Sequence, residues 1–343
     1  MSCDDAPEPG RTAGDQPLDA RTAHPRSALP TAGDGLPTLY RDSSFWGMTV
    51  TQFLGAFNDN LFKQIILLLA LKVAAQDRQW EAMFVFSAPF VIFSGYAGYL
   101  ADRYSKRTII VLAKVAEIVV MLGGLVAFLS FGVSGFPGLL VVLFLMGAQS
   151  AFFGPSKYGI LPEMLRPQDL PRANGVILMT TFLAIIFGAV LAGFLCDLAT
   201  GVTVPPAETE REFASNGDFL ATGVTLSLAE TAHRLWLASA VCVAIAVVGT
   251  LTSLWVRRVP AAAPQLPFRW SALTVPPDSR QMLRADRPLL GAVLASSVFW
   301  LVAGVASPAV NSLGKMQLEL SDTGTSILQA CIGIGIGVGS IVA

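Results

Sequence analysis

Gly98-Tyr99-Leu100-Ala101-Asp102-Arg103-Tyr104-Ser105-Lys106-Arg107 lies between one apolar run near residues 80–101 and another near 108–130. A helix needs about 20 apolar residues to cross a bilayer, and each run meets that length. The stretch between them therefore reads as a tight loop at a membrane surface, with an acid at a helix end and a basic cluster behind it. Gly98 allows two helices to approach closely. Asp102 can pair with the bases or face the positive end of a neighbouring helix. A merely basic loop would account for Lys106 and Arg107, but not for Gly98 and Asp102 at this spacing.

Working outward, the same ruler divides the chain into spans near 44–71, 80–101, 108–130, 137–161, 174–197, 234–256 and 288–311, followed by an apolar run from about 324 to the end. Gly175 to Cys196, Leu235 to Val256 and Pro288 to Val310 contain no charged side chain. With 53% hydrophobic residues, 14% charged residues and a mean hydropathy of +0.59, the fold class is an all-α integral membrane bundle rather than a soluble domain. Lysines and arginines (23) nearly balance aspartates and glutamates (24), which gives no reason to expect a nucleic-acid partner. The four cysteines have neither paired nor zinc-type spacing, and there is no P-loop or nucleophile elbow, so no cofactor, metal or catalytic residue is expected.

Residues 1–40 read as a disordered cytoplasmic leader, 41–256 as a six-helix bundle, 257–287 as a basic cytoplasmic linker, and 288–343 as the start of a second bundle truncated in its eighth span. Orientation follows from the bases, which accumulate on the cytoplasmic side. A cytoplasmic amino terminus places twelve of them inside, among them Arg103, Lys106, Arg107, Arg166 and Arg257, against five outside, including Lys72 and Lys315. The acidic segment from Asp197 to Arg234 suits an external loop, and Trp46, Trp80, Trp236 and Trp255 fall at span ends. The linker, with Phe268-Arg269-Trp270, either lies along the anionic inner leaflet or is an ordinary solvated connection.

Three polar intrusions stand out inside the spans. The first is Asn58-Asp59-Asn60-Leu61-Phe62-Lys63, with Asp59 about 22 Å along its helix and Lys63 four residues later on the same face. Either the two charges neutralise each other while Asn58 and Asn60 bond neighbouring helices, or this face lines a cavity where Asp59 receives a cationic group and Lys63 an anionic one. The second is Gly154-Pro155-Ser156-Lys157-Tyr158-Gly159-Ile160-Leu161-Pro162-Glu163. Here a bend is expected near the end of the fourth span, and Lys157 either snorkels to the surface or serves the cavity. The third is Lys114 and Glu117, which read as a locally neutralised pair or, more sharply, as a proton-coupling pair.

The Gly98–Arg107 loop resembles the signature of the major facilitator superfamily, G-x-L-A-D-R-x-G-R-R in outline, with Ser105 in place of the usual second Gly. In that family the loop latches two bundles together, against a helix of the second half. The N-D-N run with its Lys, the F-F-G-P-S-K-Y-G-I-L-P-E run and the G-I-G-I-G-V-G at Gly333 to Gly339 together resemble the lysophospholipid transporter family. That resemblance implies alternating-access movement of lysophospholipid across a bacterial inner membrane. It also implies a head-group site built from Asn58, Asp59, Asn60, Lys63 and Lys157, and in some bacteria fusion to an acyltransferase and an acyl-carrier-protein synthetase. A proton-coupled exporter of drugs or metabolites is the alternative of the same fold.

Overall fold

The computed structural model describes residues 37–72, 77–200, 233–268 and 277–342. The readings placed on residues 1–36, on the heart of the acidic segment at 201–232 and on Arg269-Trp270 lie outside those residues. The described residues are helical, with no strand among them: α1 (Ser43–Ala70), α2 (Gln79–Arg103), α3 (Lys106–Leu129), α4 (Phe131–Gly159), the short α5 (Leu161–Met164), α6 (Leu170–Thr200), α7 (Trp236–Ser253), α8 (Pro277–Ala285), α9 (Arg287–Ser312) and α10 (Asp322–Val342). Seven of the helical segments are long and apolar enough to cross a membrane. The chain is thus an all-α membrane bundle. Trp46, Trp80, Trp236 and Trp255 remain exposed at or just beyond helix ends, where an indole ring suits the interface.

Local chemistry sets the helix ends. Asp42 caps α1, its Oδ1 accepting from the Ser44 amide at 2.8 Å, and Asp286 caps α9 by accepting from the Leu289 amide at 3.0 Å. α4 runs through Gly154 and Pro155 to Gly159 with no backbone break there. The non-helical residue within α4 is Gly135 instead, at φ 57° and ψ −164°. That left-handed φ suits glycine, and Pro137 just beyond it belongs in the first turn of the regular segment, where a missing amide costs nothing. In a membrane helix, the carbonyl freed by Pro155 can be satisfied by its surroundings.

In a bilayer, helices associate through close packing at small residues more than through exclusion of apolar surface from water. Along these lines α1 packs against α6 and α7, α4 against α2 and α3, α3 against α7, and α10 against α6. Gly147 admits the Phe86 carbonyl and Pro89 of α2. Gly188 of α6 faces the Phe57 carbonyl of α1, where an added Cβ would lie 2.6 Å from that oxygen and 3.3 Å from the Asn60 Cβ. Gly98 has open space where a Cβ would stand among the described residues.

Gly188→Ala is therefore expected to push α6 off the turn of α1 that carries Asp59. The cost should be about 1–3 kcal/mol of overpacking. Thermal unfolding of the purified variant should show a clear fall in Tm, whereas Gly98→Ala should leave Tm near wild type. Equal Tm values for the two would contradict this packing.

Two apolar cores flank the polar middle of α1. One gathers Leu61, Phe62, Ile65, Met121, Phe128 and Leu143; the other gathers Phe45, Met48, Ile110, Ile160 and Leu161. Between them α1 presents Gln52, Asn58, Asp59 and Asn60.

Candidate functional site

The polar residues of α1 point to different neighbours, because successive side chains on a helix turn by about 100°. Asp59 faces α4, its Oδ2 accepting from Ser150 Oγ at 2.5 Å and its Oδ1 from Gln149 Nε2 at 3.5 Å. Gln149 Nε2 also donates to Ser150 Oγ at 2.8 Å. Lys63, one turn later, faces α2. Its ammonium donates to Asn60 Oδ1 at 2.9 Å and lies 5.2 Å from the centre of the Phe86 ring. Asn60 in turn donates to the Ala56 carbonyl at 2.7 Å. Neither Asp59 nor Lys63 forms an ion pair among the described residues, and both are half-buried. Their i,i+4 spacing does not close into a direct contact pair; each head group is held by neutral neighbours.

Asn58 belongs elsewhere. It is fully buried and donates to Glu117 Oε1 of α3 at 2.8 Å, while Lys114 Nζ pairs with Glu117 Oε2 at 2.6 Å. Lys114 and Glu117 are both sealed from solvent, and Gly55 leaves room for the Lys114 ammonium. Asn58 thus supports a buried ion pair rather than joining Asp59.

Lys157 does not snorkel. It is 8% exposed and donates to Thr181 Oγ1 of α6 at 3.2 Å, with its ammonium 5.0 Å from the Tyr158 ring centre. Thr181 donates to Gln52 Oε1 at 2.9 Å, and Gln52 Nε2 donates to Thr180 Oγ1 at 2.6 Å. A simple register links this level to the one above it. Gln52 lies seven residues before Asp59 on α1, and Lys157 lies seven residues after Ser150 on α4. In helices running in opposite directions, these offsets place a second polar level about 10 Å from the first. Gln52, Gln149, Ser150 and Thr181 escape a search for charged intrusions; the seven-residue echo between α1 and α4 is the signal that could have found them.

The loop motif joins the second cluster at the other end of α2 and α3. Lys106 is buried and pairs with Glu163 Oε1 at 2.5 Å, and Gly159 leaves the room its side chain crosses. Arg107 donates to the carbonyls of Val256 at 2.7 Å and Leu254 at 3.0 Å, gripping the end of α7. Arg103 donates to the Tyr99 hydroxyl, and Asp102 is exposed, its backbone carbonyl accepting from the Ala263 amide at 2.8 Å. Ser105, with φ −58° and ψ 122°, needs no glycine, and its Oγ donates to the Val259 carbonyl at 2.7 Å. The loop therefore binds α5, α7 and the start of the linker within this structure.

The family model of the Major Facilitator Superfamily matches residues 45–343. The chain is 26% identical over 313 residues to a protein of Serratia proteamaculans called lysophospholipid transporter LplT, a match covering 89% of this chain and 67% of that one. It is 31% identical over 168 residues to proteins of the same description from Escherichia coli K12 and Shigella boydii, covering 47% of this chain and 40% of theirs.

Proposed function

Because the chain belongs to the Major Facilitator Superfamily, we propose that it is a carrier that moves lysophospholipid across a bacterial inner membrane by alternating access, its amino terminus in the cytoplasm. The observation that carries this reading is that Asp59 and Lys63 make no direct ion pair with each other. An acid and a base lie one turn apart near the middle of a membrane helix, yet the acid is held by neutral donors of α4 and the base by a neutral acceptor of its own helix. Charges without a direct counter-ion contact at this depth are costly and mark sites that meet a ligand or water. A zwitterionic head group supplies both missing partners, its ammonium for Asp59 and its phosphate for Lys63.

Lys157, on the second level, extends the cationic lining toward the loop end, where a phosphate would enter or leave. Asn60 orients Lys63, and Asn58 acts at one remove by fixing Glu117. Aromatic rings of α2 and α4 pack into a wall suited to an acyl chain, Phe152 stacking on Phe93 and meeting Tyr96 edge-on. The relatives named as lysophospholipid transporters support this choice of substrate. In this reading the residues act on no covalent bond: the protein is a carrier, and any acylation of its product belongs to another catalytic unit.

Spheroplasts of a bacterium lacking its own lysophospholipid carrier, supplied with the full-length protein, are expected to take up labelled lysophosphatidylethanolamine well above the empty-vector level. Uptake should persist when the proton gradient is collapsed. Background uptake despite normal insertion would overturn the substrate assignment, and loss of uptake with the gradient alone would favour proton coupling through Lys114 and Glu117.

A further inference from the structure

On the side of the bundle that carries the Gly98–Arg107 loop, several bases are already engaged. Lys106 pairs with Glu163, Arg166 with Asp169 at 2.9 Å and Arg257 with Asp42 at 3.2 Å, while Arg107 holds two carbonyls at the end of α7. The start of α9 lies on this side too, because its far end bonds through Asn311 to Gln64 near the end of α1 and to Gln79 at the start of α2. Three arginines there differ from the rest. Arg280 and Arg284 of α8 and Arg287 of α9 are exposed, and none has an ion pair or hydrogen bond among the described residues.

α8 is amphipathic. At 100° per residue Arg280 and Arg284 share one face, one turn apart, and Met282 and Leu283 lie on the side away from them. Met282 is 60% exposed and Leu283 is half-buried. A helix with guanidinium groups along one edge and an apolar opposite edge suits the plane of a membrane surface, where the apolar edge rests at the acyl boundary and the bases reach lipid phosphates. With only two large apolar side chains in nine residues, charge decides whether it stays there. The three bases are spread over about 10 Å of chain. That spread suits a surface of many phosphates rather than one bound anion.

The joint between α8 and α9 is stiff. The Asp286 amide donates to the Met282 carbonyl at 3.0 Å, its carbonyl accepts from the Leu290 amide at 3.0 Å, and its Oδ1 accepts from the Leu289 amide at 3.0 Å. One residue therefore links the last turn of α8 to the first turn of α9, and the pose of one sets the pose of the other. From Arg287 to Val302, α9 is exposed except for half-buried Leu289, so packing among the described residues does not fix this end. We propose that α8 docks on the anionic bilayer leaflet at the loop side, with Arg280, Arg284 and Arg287 on lipid phosphates, and so anchors that end of α9. The anchor does not depend on what the carrier moves.

Full-length protein in nanodiscs provides the test. In a background with Cys3, Cys196, Cys242 and Cys331 replaced by serine, Met282→Cys carries an environment-sensitive fluorophore, and Gln281→Cys carries it nearer the basic edge as a control. Discs of phosphatidylcholine are compared with discs of equal parts phosphatidylcholine and phosphatidylglycerol. In the anionic discs, emission from position 282 should shift to the blue and its quenching by acrylamide should fall, with a smaller change at position 281. Near an anionic leaflet each arginine is worth about a fivefold gain in surface occupancy. Arg280→Gln/Arg284→Gln/Arg287→Gln should therefore abolish the lipid dependence, and added salt should weaken it. Arg280→Lys/Arg284→Lys/Arg287→Lys, which keeps the charges, should retain most of it. Emission indifferent to phosphatidylglycerol, a glutamine variant that responds like its parent, or equal shifts at both positions would overturn the docking. A lysine variant that loses the response would do the same, because charge would then not be its cause. Transport enters none of these readouts, so either result leaves the substrate assignment to its own test.

Discussion

Asp59→Ala is expected to lower uptake of lysophosphatidylethanolamine by about 30-fold or more, which corresponds to about 2 kcal/mol lost when one partner of a desolvated charge pair is removed. The folded protein should survive the change, because the groups left behind, Ser150 and Gln149, are neutral and still bond each other at 2.8 Å. Lysophosphatidylglycerol, whose head group lacks an ammonium, should lose much less. That difference separates a role in binding the head group from a general disturbance of α1, which would depress both substrates alike. The measurement is initial uptake into spheroplasts at matched protein levels. Uptake of lysophosphatidylethanolamine by Asp59→Ala at the wild-type rate would remove Asp59 from the site.

The selectivity of that result depends on a feature the linear sequence conceals. Asn58, Asp59, Asn60 and Lys63 look like one cluster because they are neighbours in the chain. On the helix they diverge: Asn58 meets Glu117 of α3, Asp59 meets Ser150 of α4, and Lys63 lies over Phe86 of α2. Which helix stands at each bearing is a property of the bundle, and side-chain spacing along α1 cannot supply it. The membrane architecture, by contrast, is legible, because runs such as Gly175 to Cys196 carry no charge and have one economical disposition in a bilayer. Gly and Pro prove harder to read. Pro155 passes through a continuous helix while Gly135 carries the irregular backbone, and Gly98 faces open space while Gly188 meets a carbonyl. Each of these outcomes depends on what stands opposite, and the residue type alone does not report it.

Glu117 should show the largest effect on stability. Glu117→Gln keeps the size of the side chain and an oxygen for Asn58, but it leaves Lys114, 2% exposed, without its partner at 2.6 Å. An uncompensated buried charge costs about 3–5 kcal/mol, so Tm should fall steeply despite the near-isosteric change. The double variant Lys114→Met/Glu117→Leu removes both charges and keeps most of the volume, which should restore much of the loss. Thr250 would still bond the Lys114 position, because it donates to the backbone carbonyl there at 3.0 Å. Transport then decides what the pair is for. If it only holds α1, α3 and α7 in register, the double variant should carry lysophospholipid at a rate close to wild type. If a proton must visit Glu117 in each cycle, the double variant should be stable and inactive, and its inactivity should not depend on the gradient. A stable but inactive double variant would overturn the structural role given to Lys114 and Glu117 and make this buried pair the coupling site of the carrier.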